Sequence, residues 1–437
     1  MNAPASPPPV LQAQIAAART AAAQGRIAEA EQLFLRVVDA MPDLAEGLNF
    51  LGMCALARQQ TGEAIALLER ARRVAPDDAE TLKNLGQAYR RTGRLDDAVS
   101  ELRAAVTQSP GYFLARFHLA AVLQQLQRDD EALPEFFRAL REAQERGEWL
   151  SEASTPPGLR QPVLAAMRYV DQRRHALFDG AISPLRARFG AEAMRRVEEA
   201  LAIYLGERPA QYPDPAQRPL FLFFPGIASQ AYYERARFPW LEALEAQTDA
   251  IRLELVNLLA AEHGFEPFLR FDGDARVEDY LRGREGQSAW TGFFFYRHGE
   301  RRDDNCARCP VTTGVLDTLP IVRIRDHAPE VLFSLLTPGA HILPHRGVTN
   351  TRLVTHLPLI VPEHCALRVG GIDHVWQEGR CVVFDDTYEH EAWNRSDRTR
   401  VVLILDTWHP DLTEPEREAL TALVGVIGDF NQRVGVR

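Results

Sequence analysis

A 34-residue spacing in the first third of the chain constrains the fold more than any other feature of the sequence. The positions that repeat with this step are Pro42, Pro76 and Pro110; Ala30, Ala64, Ala98 and Ala132; and Gly52 and Gly86. Small residues let two helices approach closely, and proline stops a helix. The spacing therefore predicts a series of paired helices, one pair for every 34 residues.

A helix pair of this length, with small residues at the crossing and proline behind the second helix, is typical of the tetratricopeptide repeat. We expect three to four repeats over residues 11–145, preceded by a disordered Pro/Ala-rich segment at residues 1–10. A generic Ala-rich helical bundle is the alternative, but it does not account for three coincident periods. Such arrays usually present a concave surface to a partner, so we expect a peptide or protein to bind here.

The texture of the sequence changes twice after the repeats. Residues 146–216 are predicted to form a helical connector that ends in a Pro-rich linker. Short apolar and β-branched runs then follow, separated by Gly, Pro, Asn and Asp. They are "LFLFF" (220–224), "GFFFY" (292–296), "EVLFSLL" (330–336), "LVTHLPLIV" (353–361), "CALRV" (365–369), "CVVFDD" (381–386) and "RVVLILD" (400–406). This pattern predicts an antiparallel sandwich or barrel over residues 217–437, and hence a multidomain α + β protein.

Composition excludes several classes of function. A net charge of −10 argues against a general nucleic-acid or anionic-membrane binder. The N-terminus "MNAPASPPPV" has no signal-peptide pattern, and no run of about 18 apolar residues predicts a membrane span. Five cysteines are a sparse, odd set, which favours a reducing, cytoplasmic location.

Histidine is concentrated in one region: eight of the 12 histidines lie between His327 and His409. Imidazole binds iron and other transition metals, and non-heme Fe(II) oxygenases use two histidines with one carboxylate. His345 and His390 are 45 residues apart, and Arg400 opens a predicted strand ten residues after His390. An arginine at that place could hold a dicarboxylate through its bidentate fork. Taken singly, each of these residues would also suit an ordinary structural role.

Three segments carry a resemblance to a known family. "SLLTPGAHILPHRGVTNTRLVTHLPLIVP", "FDDTYEHEAWN" and "RVVLILDTWHPDLT" resemble the aspartyl/asparaginyl β-hydroxylases, and the similarity covers about residues 217–415. Those proteins are Fe(II)- and 2-oxoglutarate-dependent oxygenases with a double-stranded β-helix (jelly-roll, cupin-like) fold. The resemblance implies Fe(II), 2-oxoglutarate and O2 as cofactor and co-substrates. It also implies hydroxylation of the β-carbon of Asp or Asn in a peptide or protein, which the repeats could recruit.

The resemblance also assigns roles by position. His345 and His390 match the iron ligands. Arg400 and Ser334 match the groups that bind the distal carboxylate of 2-oxoglutarate. His356 matches a histidine near the other end of that molecule. Trp290 matches a tryptophan of the family that contacts 2-oxoglutarate.

Two positions bear on the ligand set and on the substrate. Gly347 stands where most relatives in the wider oxygenase superfamily have Asp or Glu; the family shares that absence, so water would fill the vacant metal position. Val354 stands where the family commonly has an arginine that contacts substrate or co-substrate. Arg352, two residues earlier on the same face of an ideal strand, could replace it as a substrate contact. Asp385 and Asp386 are interpreted as turn residues, one of which could orient a ligand histidine.

Three other interpretations stay open. The same oxygenase chemistry could act on a lipid or a small molecule. The barrel could have lost catalysis and left a tetratricopeptide adaptor, although the intact set of His345, His390 and Arg400 argues against this. A cupin dioxygenase of another kind is the third, but the His-x-His pair with which cupins usually start is absent.

Overall fold

The computed structural model describes residues 8–261, 264–269, 277, 280–283 and 289–436. The chain divides into two compact units. The first unit consists of the residues up to Arg174 together with those from Phe430 onward. The second unit is His175–Asp429. The division lies inside the segment predicted as a connector. Within the described residues, no helix combines the length and the apolar composition needed to cross a bilayer.

Four antiparallel helix pairs form most of the first unit and confirm the predicted helical repeats. They are α1 (Pro9–Ala23) with α2 (Ile27–Ala40), α3 (Ala45–Ala57) with α4 (Thr61–Val74), α5 (Ala79–Arg91) with α6 (Leu95–Gln108), and α7 (Phe113–Gln125) with α8 (Asp129–Glu145). Each repeated proline lies two residues beyond the end of α2, α4 or α6. Helix α1 begins at Pro9, so residues 9 and 10 of the segment predicted to be disordered are helical. Residues 1–7 lie outside the described residues.

The repeated small residues lie where the two helices of a pair touch. A Cβ added at Gly52 would lie 2.7 Å from Cγ of Leu68, and one added at Gly86 would lie 2.6 Å from Cγ of Leu102. These leucines are fully buried. The 34-residue spacing therefore reflects a repeated contact, because a larger side chain would push the helices apart.

We expect Gly86→Val to lower the free energy of unfolding by about 1–3 kcal/mol, because the new side chain overpacks the contact with Leu102. The matched control is Gly62→Val, at an exposed position of α4 where an added Cβ meets nothing within 4 Å. Urea unfolding of both variants separates overpacking from helix propensity. Equal stability losses in the two variants would show that the close contact at Gly86 is not what matters.

Further helices precede the sheets: α9 (Arg160–Phe189), α10 (Ala191–Tyr204), α11 (Leu241–Glu245) and α12 (Thr248–Ala261). Residues 205–240 are mostly irregular. The prediction of a strand at residues 220–224 is wrong, since only Leu222 forms a single bridge, with Thr349. The apolar run is buried by side-chain packing instead, as Phe224 shows with no exposed surface.

Two antiparallel sheets form the core of the second unit. In the described residues the larger sheet has seven strands: β1 (Glu266–Pro267), β3 (Trp290–Arg297), β5 (Val331–Leu336), β12 (Arg400–Trp408), β7 (Arg352–Ile360) and β10 (Val382–Phe384) in that order, with β4 (Glu300–Arg301) beside β3. The smaller has five: β2 (Leu281–Arg282), β6 (His341–His345), β11 (His390–Asn394), β8 (Cys365–Val369) and β9 (Ile372–His374). Short helices α13 (Asp303–Arg308) and α14 (Pro310–Leu316) follow β4, and α15 (Glu414–Val434) follows β12.

The larger sheet separates two apolar clusters by the alternation of its side chains. On β12, Val401 and Leu403 belong to a cluster with residues of α11 and α12. Val402, between them in sequence, belongs to a second cluster that includes Ile342 and Leu367 of the smaller sheet. The two sheets therefore enclose a common interior, which confirms the predicted β-rich half of the chain.

The segment "HILPH" is a strand that the sequence did not predict, since it is not among the apolar runs quoted above. Residues 341–345 are strand β6, paired with β2 and β11. Pro344 made this strand hard to predict. Proline has no N–H to donate to a neighbouring strand, so it usually indicates an edge strand or the end of a strand. The strand matters because it places His345 at its end, directly opposite β11.

Candidate active site

Two histidines from neighbouring strands face each other at the heart of the site. His345 on β6 and His390 on β11 are partners in the strand register. Their ring centroids are 4.0 Å apart. Strand pairing therefore brings together two imidazoles that are 45 residues apart in sequence.

Hydrogen bonds fix the tautomer of both rings. Nδ1 of His345 lies 2.8 Å from the carbonyl oxygen of Leu343, and Nδ1 of His390 lies 3.1 Å from that of Tyr388. A carbonyl only accepts, so each Nδ1 carries the hydrogen and each Nε2 keeps its lone pair. Loss of solvent and the neighbouring His345 ring lower the pKa of His390 to about 4. The pair thus presents imidazole nitrogens suited to a metal ion.

His345 and His390 are oriented by different groups from those that the sequence suggested. Asp385 and Asp386 do not accept from either Nδ1, since backbone carbonyls take that role. Asp385 instead accepts from the backbone and side chain of Thr387, at 2.9 and 2.6 Å, and from Nε2 of Gln217 at 2.6 Å. These bonds stabilise the turn that leads into His390. Sequence reasoning missed Gln217 because it lies beside the Pro-rich linker, 168 residues from its partner.

Arg400 is a buried cation without a counter-ion in the described part of the chain. It is 1% exposed, and its Nε and Nη1 have no hydrogen-bond partner there. The guanidinium lies 4.9 Å from the ring centroid of Trp376. Burial lowers the pKa of Arg400 to about 10, so it is still protonated at neutral pH. Because an uncompensated buried charge is costly, the arrangement indicates a site for an anionic ligand.

Ser334, Trp290 and His356 lie on the same side of the larger sheet as Arg400. Nε1 of Trp290 donates to Oγ of Ser334 at 2.9 Å, which leaves the hydroxyl hydrogen of Ser334 available for a ligand. Nδ1 of His356 is buried and has no partner in the described structure. Burial, and then the nearby charge of Arg400, lower the pKa of His356 well below its usual value, so this imidazole is neutral.

Arg352 lies in the same cavity but is already paired. Its Nη1 donates to Asp406 at 2.6 Å, and its Nη2 lies 3.2 Å from Asp386. Burial alone would lower the pKa of Arg352, but the two carboxylates outweigh it and raise that pKa. Val354 is 7% exposed and belongs to the apolar cluster between the sheets. The side chain of Val354 is therefore uncharged at the position where the family commonly has an arginine.

The space beside Gly347 is filled by another part of the chain. A Cβ added at Gly347 would lie 2.1 Å from Cγ of Asp386 and no more than 2.3 Å from either of its carboxylate oxygens. The carboxylate of Asp386 therefore occupies the place into which an Asp or Glu at position 347 would project. Its Oδ1 is a buried acceptor without a partner in the described structure.

We expect Gly347→Ala to lower the free energy of unfolding by about 1–3 kcal/mol, because the added methyl group displaces Asp386 and weakens its pairing with Arg352. Gly314→Ala is the matched control, at an exposed position of α14 where an added Cβ meets nothing within 4 Å. Urea unfolding compares the two. If Gly347→Ala unfolded at the same urea concentration as the unmodified chain, Asp386 would not be held against Gly347 in solution.

The structure brings together all the residues that the sequence predicted for the site. One cavity of about 160 Å³ is lined by Trp290, Ser334, His345, Arg352, His356, His390 and Arg400, together with Val354 and Asp386. Among the residues that the structure describes, no group of three or more His, Cys, Asp or Glu side chains is arranged to hold a metal. His345 and His390, whose Nε2 atoms keep their lone pairs, are the residues of this cavity that could hold a metal.

Comparison with known proteins agrees with this arrangement. The sequence profile of the aspartyl/asparaginyl β-hydroxylase family matches residues 245–410, and that of the tetratricopeptide repeat matches 15–79, 51–113 and 83–147. An ornithine lipid ester-linked acyl 2-hydroxylase of Rhizobium tropici is 34% identical over 210 residues, 47% of this chain and 70% of that protein.

Two human proteins extend the comparison. The aspartyl/asparaginyl β-hydroxylase of Homo sapiens is 30% identical over 53% of this chain. Aspartate β-hydroxylase domain-containing protein 2 of Homo sapiens is also 30% identical over 53% of this chain. The matched region spans 30% and 61% of these two relatives. With its paired histidines, its buried arginine and these matches, the chain belongs to the aspartyl/asparaginyl β-hydroxylase family and carries tetratricopeptide repeats before the hydroxylase domain.

Proposed function

We propose that this chain is an Fe(II)- and 2-oxoglutarate-dependent oxygenase that hydroxylates an unactivated C–H bond. The observation that carries the proposal is the content of one cavity: two imidazoles with free Nε2 atoms and a buried arginine without a counter-ion. The imidazoles suit a metal and the arginine suits a carboxylate. The enclosing pair of antiparallel sheets fits a double-stranded β-helix.

Each side chain of the cavity would have a distinct role. His345 and His390 would hold Fe(II). Arg400 would bind the distal carboxylate of 2-oxoglutarate with its fork, and the free hydrogen of Ser334 would add one hydrogen bond. The neutral ring of His356 would contact the other end of the molecule. When bound, the metal and 2-oxoglutarate supply the activation of O2, and the protein supplies position and charge.

The apolar residues of the cavity would limit the access of water. Apolar residues Leu332, Leu367 and Ile404 line the cavity between the polar groups. They limit water around Arg400, which strengthens its attraction for a carboxylate. Asp386, with its unpartnered Oδ1, is placed to accept a hydrogen bond from a water in the site.

For the substrate, the family points first to the β-carbon of Asp or Asn in a peptide or protein that the repeats recruit. A second candidate is an acyl chain, as in the name of the Rhizobium tropici relative. Val354 favours this second candidate because it replaces a cation by an apolar surface. Arg352 favours it too, since both of its carboxylate partners, Asp386 and Asp406, come from the chain itself.

Succinate formation from 2-oxoglutarate tests the proposal and separates the substrates. The purified chain is supplied with Fe(II), 2-oxoglutarate and air, and then with an Asp- and Asn-containing peptide or with ornithine lipid vesicles. We expect iron- and oxygen-dependent succinate, stimulated by one of the two additions, with a mass increase of one oxygen atom in the stimulating substrate. Absence of succinate under every condition would favour the catalytically silent adaptor.

A further inference from the structure

Helix α5 departs from the repeat pattern along one face. The equivalent positions of the preceding repeat lie 34 residues earlier, in α3. There, Asn84 corresponds to Phe50, Gln87 to Met53, Arg90 to Leu56 and Arg91 to Ala57. Four positions that are apolar in α3 are therefore polar or cationic in α5. Repeats keep apolar residues where packing requires them. The polar and cationic residues on this face of α5 therefore indicate a function other than packing.

The same face opens into a groove. Three consecutive first helices, α3, α5 and α7, enclose a concavity of about 510 Å³. Its apolar part is Met53, Leu56 and Ala57, and its polar part is Gln87, Arg90, Arg91, His118 and Gln125. No acidic residue is among the described residues that line it.

Cations in and beside this groove lack acidic partners. In the described part of the chain, Lys83, Arg90 and Arg91 form no ion pair, whereas Arg58 and Arg116 of the same array pair with Glu31 and Glu135. Lys83 is only 7% exposed. Burial lowers its pKa, and the charges of Glu80 and Asp78 at the start of α5 oppose that shift without forming an ion pair with Lys83. No carboxylate lies within ion-pair distance of these three cations in the described structure, so an external anion could pair with them directly.

Unpartnered polar atoms lie beside these cations. Oδ1 of Asn84, which is 1% exposed, and the buried Nδ1 of His118 have no hydrogen-bond partner in the described structure. Burial, together with the charges of Lys83 and Arg90, lowers the pKa of His118 to about 3. Nδ2 of Asn84 donates to Oδ1 of Asn49 at 3.0 Å. Carboxamides offer the same donor and acceptor pair as a peptide backbone.

We propose that this groove binds an extended peptide with acidic side chains. Its carboxylates would lie beside Lys83, Arg90 and Arg91, and its apolar side chains would contact Met53 and Leu56. An acidic peptide fits better than a nucleic acid, because the groove has an apolar part, Met53, Leu56 and Ala57, that apolar side chains of a peptide would cover. The inference does not depend on the chemistry proposed for the hydroxylase domain.

An unbiased selection tests the proposal. A phage-displayed library of random 12-residue peptides is selected on the full chain, on the Lys83→Met/Arg90→Gln double variant and on the Arg91→Gln variant. Arg73→Gln, at an exposed position of α4, is the matched control. We expect Asp and Glu to be enriched over the input by the unmodified chain and by the control, less by Arg91→Gln, and not by the double variant. Because Arg91 is exposed, its variant keeps the test valid if the double variant does not fold.

The affinity of the chain is then measured for a peptide with the enriched sequence. A fluorescent synthetic copy is compared by anisotropy with a copy in which Asp and Glu are replaced by Asn and Gln. One lost charge-assisted hydrogen bond corresponds to about a 10-fold weaker Kd or more, and the binding should also weaken with salt. Enrichment of neutral or basic sequences, no enrichment at all, an unchanged selection by the double variant, or equal affinity for a single-stranded DNA 12-mer would overturn the proposal.

Discussion

Replacing either His345 or His390 with alanine is expected to abolish 2-oxoglutarate turnover and to leave the fold intact. The cavity offers two imidazoles for the metal, and no cluster of three donors exists in the described part of the chain. Removing one ligand leaves a single protein donor. Because loss of groups that merely support metal ligands already costs about 10–100-fold, we expect turnover to fall by at least about 100-fold, together with the iron content of the protein.

His341→Ala is the matched control for this pair. His341 lies on the same strand as His345, but it does not line the cavity, and its Nε2 lies 2.7 Å from a carboxylate oxygen of Glu391. Succinate formation, iron content and circular dichroism are measured for all three variants. Full turnover by His345→Ala or His390→Ala would remove that residue from the metal site.

Arg400→Ala is expected to produce the second large effect, a loss of affinity for 2-oxoglutarate. If Arg400 pairs with the distal carboxylate, its removal leaves that carboxylate buried without a partner, at a cost of about 3–5 kcal/mol. The Kd should therefore rise on the order of 100-fold or more. Arg400→Lys should restore only part of the affinity, because one ammonium does not reproduce the fork. Iron binding should be little changed.

Two further variants place the Arg400 result in context. Ser334→Ala should cost about 1–2 kcal/mol, since it removes one hydrogen bond to a charged group. Arg398→Ala removes an exposed arginine two residues from Arg400 and should change nothing. An unchanged Kd in Arg400→Ala would assign the carboxylate to another cation, with Arg352 the next candidate.

The sequence predicted most reliably what depends on local or periodic pattern. Helix pairs at a 34-residue step follow from repeated small residues and prolines, and the structure shows the contact that keeps Gly86 small. The seven predicted site residues also meet in one cavity, because alternate residues of a strand share a face. His356 and Arg352 reach that cavity for this reason.

Other features depend on contacts between distant segments, and sequence pattern does not contain them. The bond between Gln217 and Asp385 joins an irregular segment to a turn far along the chain. Asp386 fills the space beside Gly347 through the approach of two loops. Strand β6 was missed because Pro344 breaks the alternation that would have indicated it. Arg352 was predicted as a substrate contact, but its partners Asp386 and Asp406 become visible only when β7, β12 and the loop after β10 are assembled.

The most direct test of the central claim is an anaerobic titration of 2-oxoglutarate into the Fe(II)-loaded chain, followed by its metal-to-ligand charge-transfer absorption. Two imidazoles on the metal and an arginine for the distal carboxylate predict a visible band that saturates at one 2-oxoglutarate per chain. The band should be absent in His345→Ala and His390→Ala, and it should appear only at much higher 2-oxoglutarate concentration in Arg400→Ala. No band in the unmodified chain, or an identical band in the histidine variants, would contradict the proposed site.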